Sequence, residues 1–275
     1  MSSEFDGLAA FVRRTCGADL SVYDERFLAD IVRKRAGEGE GPATWRLLRR
    51  FERYPEELDS FVDSLRVGYS EFFRDPLSFA CLERVALPAV AEAKRRRGER
   101  EIRIWSAACA EGQEAYSVAI LCEEFLPKNG TGMTYRLFAS DIDEGRIETG
   151  RRGIYPRSAL GEVALRRLEA FFEPEGEGFR VVARIRDRVD FSRFDLLSPA
   201  ASCPPASIYG SFDIVLCCNI LFYYAGDSRE RILKEVLSCV ERDGCLVVGE
   251  AEREIVEGRG MREFVASSAV FRIAD

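Results

Sequence analysis

Four short stretches carry residue types able to do chemistry. The first runs Ile102-Arg-Ile-Trp-Ser-Ala-Ala-Cys-Ala-Glu-Gly-Gln-Glu-Ala-Tyr-Ser117. An apolar strand leads into a turn of small residues and then into a helix. Small side chains let a ligand approach the backbone, and the helix start offers N–H donors. The turn has neither a G-x-G-x-x-G pattern nor the Gly-Lys-Ser/Thr ending of a phosphate loop. Its acid, Glu114, suits a cationic group better than a phosphate, although many α/β folds use such a turn structurally. The second stretch is Phe138-Ala-Ser-Asp-Ile-Asp143. An acid ending the second strand of a doubly wound sheet, here Asp141, is placed to bind ribose hydroxyls. It follows Ser106 at more than the about 20 residues usual for a dinucleotide fingerprint, and it could instead cap the next helix. The third is Phe212-Asp-Ile-Val-Leu-Cys-Cys-Asn-Ile-Leu-Phe-Tyr-Tyr224. Asn219 can donate and accept and tolerates unusual backbone angles. Tyr223 offers a hydroxyl, or its ring simply packs in a core. The fourth, Ser70-Glu-Phe-Phe-Arg-Asp-Pro76, sets Arg74 after two aromatics and before a proline turn. Arg74 either faces a domain junction or is an exposed structural arginine.

Histidine is absent from the 275 residues. That removes histidine-dependent triads, histidine zinc sites and histidine general bases together. The nine cysteines form no C-x-x-C and are odd in number, so neither a disulfide framework nor a zinc ribbon is expected. The adjacent Cys217 and Cys218 read as strand packing more readily than as a redox switch. Net charge is -7, which lacks the global footprint of a nucleic-acid binder. The longest apolar run, Ile214 to Ala225, is too short to cross a bilayer. The start, MSSEFDGLAAFVRR, is no secretory signal, so a cytoplasmic location without membrane insertion is expected.

The elements that must position these groups follow from periodicity. Residues 1 to about 75 read as a helical domain, with Phe5, Leu8, Phe11 and Val12, and then Phe27, Leu28, Ile31 and Val32, at helical spacing. Arg33, Lys34, Arg35, Arg46, Arg49, Arg50 and Arg53 cluster there, as a solvated face or as a docking surface for an acidic partner. From residue 76 to 275, helices are expected at 80–97, 114–125, 144–151 and 228–240. Strands are expected at 102–105, 135–139, 212–217 and 245–250. This alternation indicates an α/β fold with a mostly parallel sheet and a ligand at the strands' carboxyl ends. Two β-like runs, Phe179 to Val182 and Arg188 to Phe191, suggest a small hairpin off the main sheet, at about 175–192.

Taken in order, Phe-Phe-Arg-Asp-Pro, Trp-Ser-Ala-Ala-x-x-x-Gly-x-Glu-x-Tyr-Ser, Ala-Ser-Asp-Ile-Asp and Phe-Asp-x-x-x-Cys-x-Asn are far more specific than any one alone. The sequence resembles the chemotaxis receptor glutamate O-methyltransferases, the CheR family, over most of its length. Gly153-Ile-Tyr155 and Glu241-Arg-Asp-Gly244 also look like the family's segments. The resemblance implies an all-α N-terminal domain followed by a Rossmann-like S-adenosylmethionine-binding α/β domain with an inserted β-subdomain. It implies that Ser70, Arg74, Ala107, Glu114, Asp141, Asp195, Leu196 and Asn219 bind cofactor: Glu114 the methionine portion, Asp141 the ribose, Asp195 and Leu196 the adenine. It gives Arg74 and Tyr223 the active-site roles. Methyl transfer to a glutamate carboxylate, ionised at pH 7, requires no general base. The missing histidine is therefore no obstacle, and positioning and electrostatics are the work left.

The chain departs from the family pattern in several places. Gly68 stands where the family usually has Asn, Ser70 where it has Thr, and Cys218 where it has Arg. Gly249-Glu-Ala-Glu252 replaces a common Gly-His-Ser-Glu. The stretch Pro174 to Gly178 is short, where a longer loop accompanies docking of a receptor's C-terminal pentapeptide, so no such tether is expected. The implied partners are acidic methylation helices of chemoreceptors, steered by the basic N-terminal helices, with the protein acting as a monomer and binding no nucleic acid. Two alternatives remain at this level: a non-catalytic S-adenosylmethionine-binding regulatory module, or a methyltransferase for another protein acceptor.

Overall fold

A computed structural model describes residues 3–66, 68, 70–129, 132–207 and 210–274. The chain divides into two compact units, Met1–Val67 with Leu221–Arg231, and Gly68–Ile220 with Ile232–Asp275.

The first unit is helical: α1 (Asp6–Cys16), α2 (Glu25–Ala36), α3 (Ala43–Arg53) and α4 (Glu57–Leu65). Each helix buries one stripe, and Leu8, Val12, Leu28, Leu47, Phe51 and Phe61 meet in its core. Asp24 caps α2 by accepting from the N–H groups of Arg26 and Phe27. Gly17, left-handed at φ 75°, ends α1.

The second unit begins with α5 (Pro76–Cys81), a π-helical turn at Leu82–Ala86, and α6 (Leu87–Arg96). The π turn lies just before Pro88, which has no N–H to donate to the preceding turn. There follow β1 (Glu101–Ala107), α7 (Gln113–Phe125), β2 (Thr134–Asp141), α8 (Glu144–Arg152), β3 (Ile154–Pro156), α9 (Leu165–Phe171), β4 (Phe172–Glu175), β5 (Gly178–Val181), α10 (Ala183–Arg186) and β6 (Val189–Arg193). The chain continues with β7 (Phe212–Cys217), α11 (Gly226–Ser238), β8 (Val240–Val248), α12 (Arg253–Val256), β9 (Met261–Glu263) and β10 (Val270–Ile273).

The main sheet has the order β6-β2-β1-β7-β8-β10-β9. Strands β6, β2, β1, β7 and β8 are parallel, and β10 pairs antiparallel with both β8 and β9. Every residue of β7 is buried, as a central parallel strand covered on both faces must be. Successive strands lie on opposite sides of β1, so the order reverses between β1 and β7. That switch point opens a crevice at the carboxyl ends of these strands. This is a Rossmann-like, doubly wound arrangement.

The second sheet has the order β3-β5-β4, all antiparallel. It corrects the expected hairpin. Residues 179–182 do not pair with 188–191, because α10 intervenes. Strand β5 pairs with β4 and β3, whereas β6 joins the main sheet beside β2.

Candidate active site

Strand β1 ends in buried Ser106 and Ala107, and Ala107 pairs with Ser140 of β2. The turn that follows is strained. Ala108 and Ala110 take φ of 58° and 48°, and Gly112 takes 90°, a region that costs an alanine about 1–2 kcal/mol. Hydrogen bonds hold the strain in place. Cys109 N donates to Ser140 O at 2.9 Å, Ala110 N to Asp141 Oδ2 at 2.9 Å, and Tyr155 OH to Glu111 O at 2.6 Å. Gly112 also serves close approach, since a Cβ there would lie 2.8 Å from the Phe191 ring. The turn so fixed delivers Gln113 and Glu114 to the head of α7.

Glu114 Oε1 accepts a 2.6 Å hydrogen bond from Ser106 Oγ. Burial pushes its carboxyl up to about 7, against the bonds from Ser106 and the Cys218 thiol, with Asp75 and Glu252 adding like charge. Asp75 is likewise raised by burial, which Arg74 opposes and Glu250 reinforces. Gln113 Oε1, also buried, has no hydrogen-bond partner. Acceptors and acids therefore gather at this end of the sheet, the opposite of a phosphate cradle. They fit S-adenosylmethionine, which carries a sulfonium and an ammonium group.

Asp141 ends β2. Its Oδ2 accepts from Ala110 N and its Oδ1 from Asp143 N at 3.0 Å. It does not cap α8; Asp143 does, accepting from Arg146 N at 3.1 Å. Burial raises the Asp141 carboxyl, opposed by these backbone bonds and by the charge of Arg146. Each oxygen keeps a lone pair for a ribose hydroxyl. Phe194 N donates to Asp141 O at 2.9 Å, which sets Asp195 and Leu196 in the turn after β6, on the same edge of the sheet. Asp195 is exposed and Leu196 half-buried.

Beyond β7, Asn219 takes φ 59°. Its N–H donates to Glu252 Oε2 at 2.7 Å, and Gly249 N donates to the same oxygen at 2.9 Å. The fully buried Glu252 thus ties the ends of β7 and β8 together. Its site role went unread in the sequence, although Gly249-x-x-Glu252 has the spacing of a capping box. Arg74 is half-buried and follows Phe73, whose φ is 54° and whose N–H donates to Ser117 Oγ of α7 at 3.0 Å. Ser70 is half-buried on the approach to this segment. Tyr223 belongs to the helical unit. There its ring lies 4.8 Å from Phe27 and its carbonyl accepts from Asp24 N at 2.8 Å. Burial pushes the Cys217 and Cys218 thiols well up, against thiolate reactivity.

The basic helices separate into two kinds of arginine. Arg35 hydrogen-bonds Ser60, and Arg46 bonds the carbonyls of Gly37, Gly39 and Gly41, so both hold loops and helices in place. Arg33 and Arg49 are exposed and, among the described residues, pair only with neighbours on their own helices, Asp30 at 2.9 Å and Glu52 at 3.9 Å, and Lys34 is exposed.

Residues 69–270 match the family described as CheR methyltransferase, SAM binding domain. The match spans most of the chain, which therefore belongs to the CheR family of S-adenosylmethionine-dependent methyltransferases. The chain is 28% identical to the chemotaxis protein methyltransferase Cher2 of Pseudomonas putida, covering 90% of each chain. It is 28% identical to chemotaxis protein methyltransferase 1 of Pseudomonas aeruginosa, covering 91% of this chain and 90% of that one. It is 32% identical to the chemotaxis protein methyltransferase of Salmonella typhimurium, over 71% of this chain and 64% of that one. No helix among the described residues is long and apolar enough to cross a membrane.

Proposed function

We propose that this protein transfers the methyl group of S-adenosylmethionine to glutamate side chains of chemoreceptors, forming glutamyl methyl esters. The observation that carries the reading is the likeness to chemotaxis protein methyltransferases over nine-tenths of both chains. Bound S-adenosylmethionine supplies an electrophilic methyl on its sulfonium. The protein's part is to hold and aim. Glu114, ionised, pairs with the ammonium of the methionine portion. Asp141 accepts from the ribose hydroxyls, and Asp195 and Leu196 flank the adenine. Ser70, Ala107 and Asn219 complete the cofactor site. Arg74 and Tyr223 orient the acceptor carboxylate, which takes the methyl in line as the methyl–sulfur bond breaks, displacing S-adenosylhomocysteine. That carboxylate must not be paired too tightly, since its lone pair forms the new bond.

The acceptor enters on an acidic helix drawn to the exposed cations Arg33, Lys34 and Arg49. The turn between β4 and β5 is only Gly176-Glu177, which supports docking without a pentapeptide tether. The protein works in the cytoplasm as a monomer. The test is transfer from methyl-labelled S-adenosylmethionine to chemoreceptor cytoplasmic fragments, followed by mild alkali. Release of labelled methanol supports the reading. Alkali-stable label would assign a different acceptor, and binding of cofactor without any transfer would assign a regulatory module.

A further inference from the structure

Phe73 takes φ 54°, a left-handed conformation that a bulky aromatic residue adopts only under constraint. Strain of this kind persists where the surroundings over-determine it, and around Phe73 they do. Its N–H donates to Ser117 Oγ at 3.0 Å, and that hydroxyl donates in turn to Gln113 O at 2.8 Å. Its ring is buried, with Phe79 edge-on at 5.3 Å between centroids. The Arg167 guanidinium lies over the same ring, 4.6 Å from its centroid. Arg167 belongs to α9, and its side chain is only 14% exposed. It donates to Glu124 Oε2 through Nε at 3.0 Å and Nη2 at 2.7 Å, and to Glu83 Oε2 at 3.1 Å. An ion pair so enclosed is weak as a stabiliser beside an apolar pair of the same volume. What it adds is a flat cation held on one face of the Phe73 ring.

Both holds on Phe73 trace to one helix. Ser117 and Glu124 stand at i and i+7, on a single face of α7. The same helix carries Glu114 at its head. On the far side of Arg74 the chain is fixed again, because Phe79 N donates to Asp75 O at 3.0 Å as α5 begins. Arg74 is the single residue between these two fixed points.

We propose that Ser117 and Arg167 are positioning residues for Arg74, holding Phe73 in its left-handed turn so that α7 is the common frame for this arginine and for Glu114. The inference rests on the reading of Arg74 as the group that orients the acceptor carboxylate. With the backbone and the ring of Phe73 both held, the direction in which the chain enters Arg74 is set. With either hold lost, Phe73 relaxes toward negative φ and turns Arg74 off its aim.

The test is methyl ester formation on a chemoreceptor cytoplasmic fragment at saturating S-adenosylmethionine. The parent, Arg167→Met, Arg167→Lys and Ser117→Ala are compared, each with and without Arg74→Ala. Arg167→Met and Ser117→Ala are each expected to lower kcat about tenfold, within what a small misplacement of a reacting group costs. Arg167→Lys should recover part of the loss. In the Arg74→Ala background neither change should lower kcat further, since no guanidinium is left to aim. A purely structural role predicts losses that multiply. Thermal unfolding separates aim from fold: Arg167→Met should lower Tm equally with and without Arg74→Ala. Ser117→Ala removes one hydrogen bond and no charge, so it carries the test should Arg167→Met not fold. Parent-like kcat in Ser117→Ala or in folded Arg167→Met, or losses that multiply with Arg74→Ala, would overturn the inference. A parent that binds S-adenosylhomocysteine but forms no methyl ester would overturn the acceptor reading of Arg74 and the inference with it.

Discussion

Glu114 makes cofactor binding depend on pH in a defined direction. Its carboxyl titrates at about 7 in the unliganded protein, raised from 4.5 by burial, with Asp75 and Glu252 as like charges and Ser106 and Cys218 as donors. To pair with the cofactor's ammonium it must be ionised, so binding expels a proton whenever Glu114 starts protonated. Below about pH 7 each unit of acidity costs a factor of ten, or about 1.4 kcal/mol. S-adenosylhomocysteine should therefore bind roughly 30-fold more weakly at about pH 5.5 than at about pH 8. Calorimetry in two buffers of different ionisation enthalpy should show close to one proton released per ligand at the acid end and none at the alkaline end. Glu114→Gln should bind weakly with a flat profile. The sign for folding is opposite. The folded state holds this proton more tightly than the unfolded chain, so the stabilisation is present below 4.5 and is lost as pH rises through about 7. Relative to the parent, unliganded Glu114→Gln should gain roughly 3 kcal/mol between about pH 4 and about pH 8, read by chemical unfolding. A parent whose affinity is constant across that range, with no buffer-dependent heat, would refute the reasoning.

Three further outcomes follow from other parts of the molecule. Arg74→Ala should lower kcat by about 100-fold or more, as loss of an electrostatic contact to the reacting centre does, measured as methyl ester formation at saturating cofactor. Lys94 Nζ lies 3.2 Å from Asp213 Oδ1, and both side chains are buried. Lys94→Met leaves that carboxylate without its buried partner and should destabilise the fold by about 3 kcal/mol, read by thermal or urea unfolding. Arg33→Glu with Lys34→Glu should slow methylation several-fold at low ionic strength and leave S-adenosylhomocysteine affinity unchanged, with the deficit fading in salt.

The alternation of strands with amphipathic helices was legible in the sequence because β1, β2 and β7 run six to eight residues and are mostly buried, and α7 and α11 span several turns. The small sheet was not, because β3, β4 and β5 have only three or four residues each, and α10 separates two runs that look like hairpin partners. The strands β9 and β10 were missed for the same reason of length. Within the candidate site, Glu114 and Asp141 stood out in the sequence by following apolar strands, and the structure sets them just after β1 and at the end of β2. Glu252 was hidden because its work is done on backbone N–H groups that pattern alone does not bring together. The basic helices show the reverse: composition marked seven cations as equivalent, whereas Arg35 and Arg46 have hydrogen bonds that make them structural.

The most direct test of the account maps methylation on a chemoreceptor cytoplasmic fragment by peptide mass spectrometry after incubation with this protein and S-adenosylmethionine. The account predicts one methyl on glutamate side chains, removed by mild alkali, and absent with Arg74→Ala. Methylation confined to lysine, arginine or cysteine side chains, or an unmodified fragment alongside demonstrated cofactor binding, would contradict it.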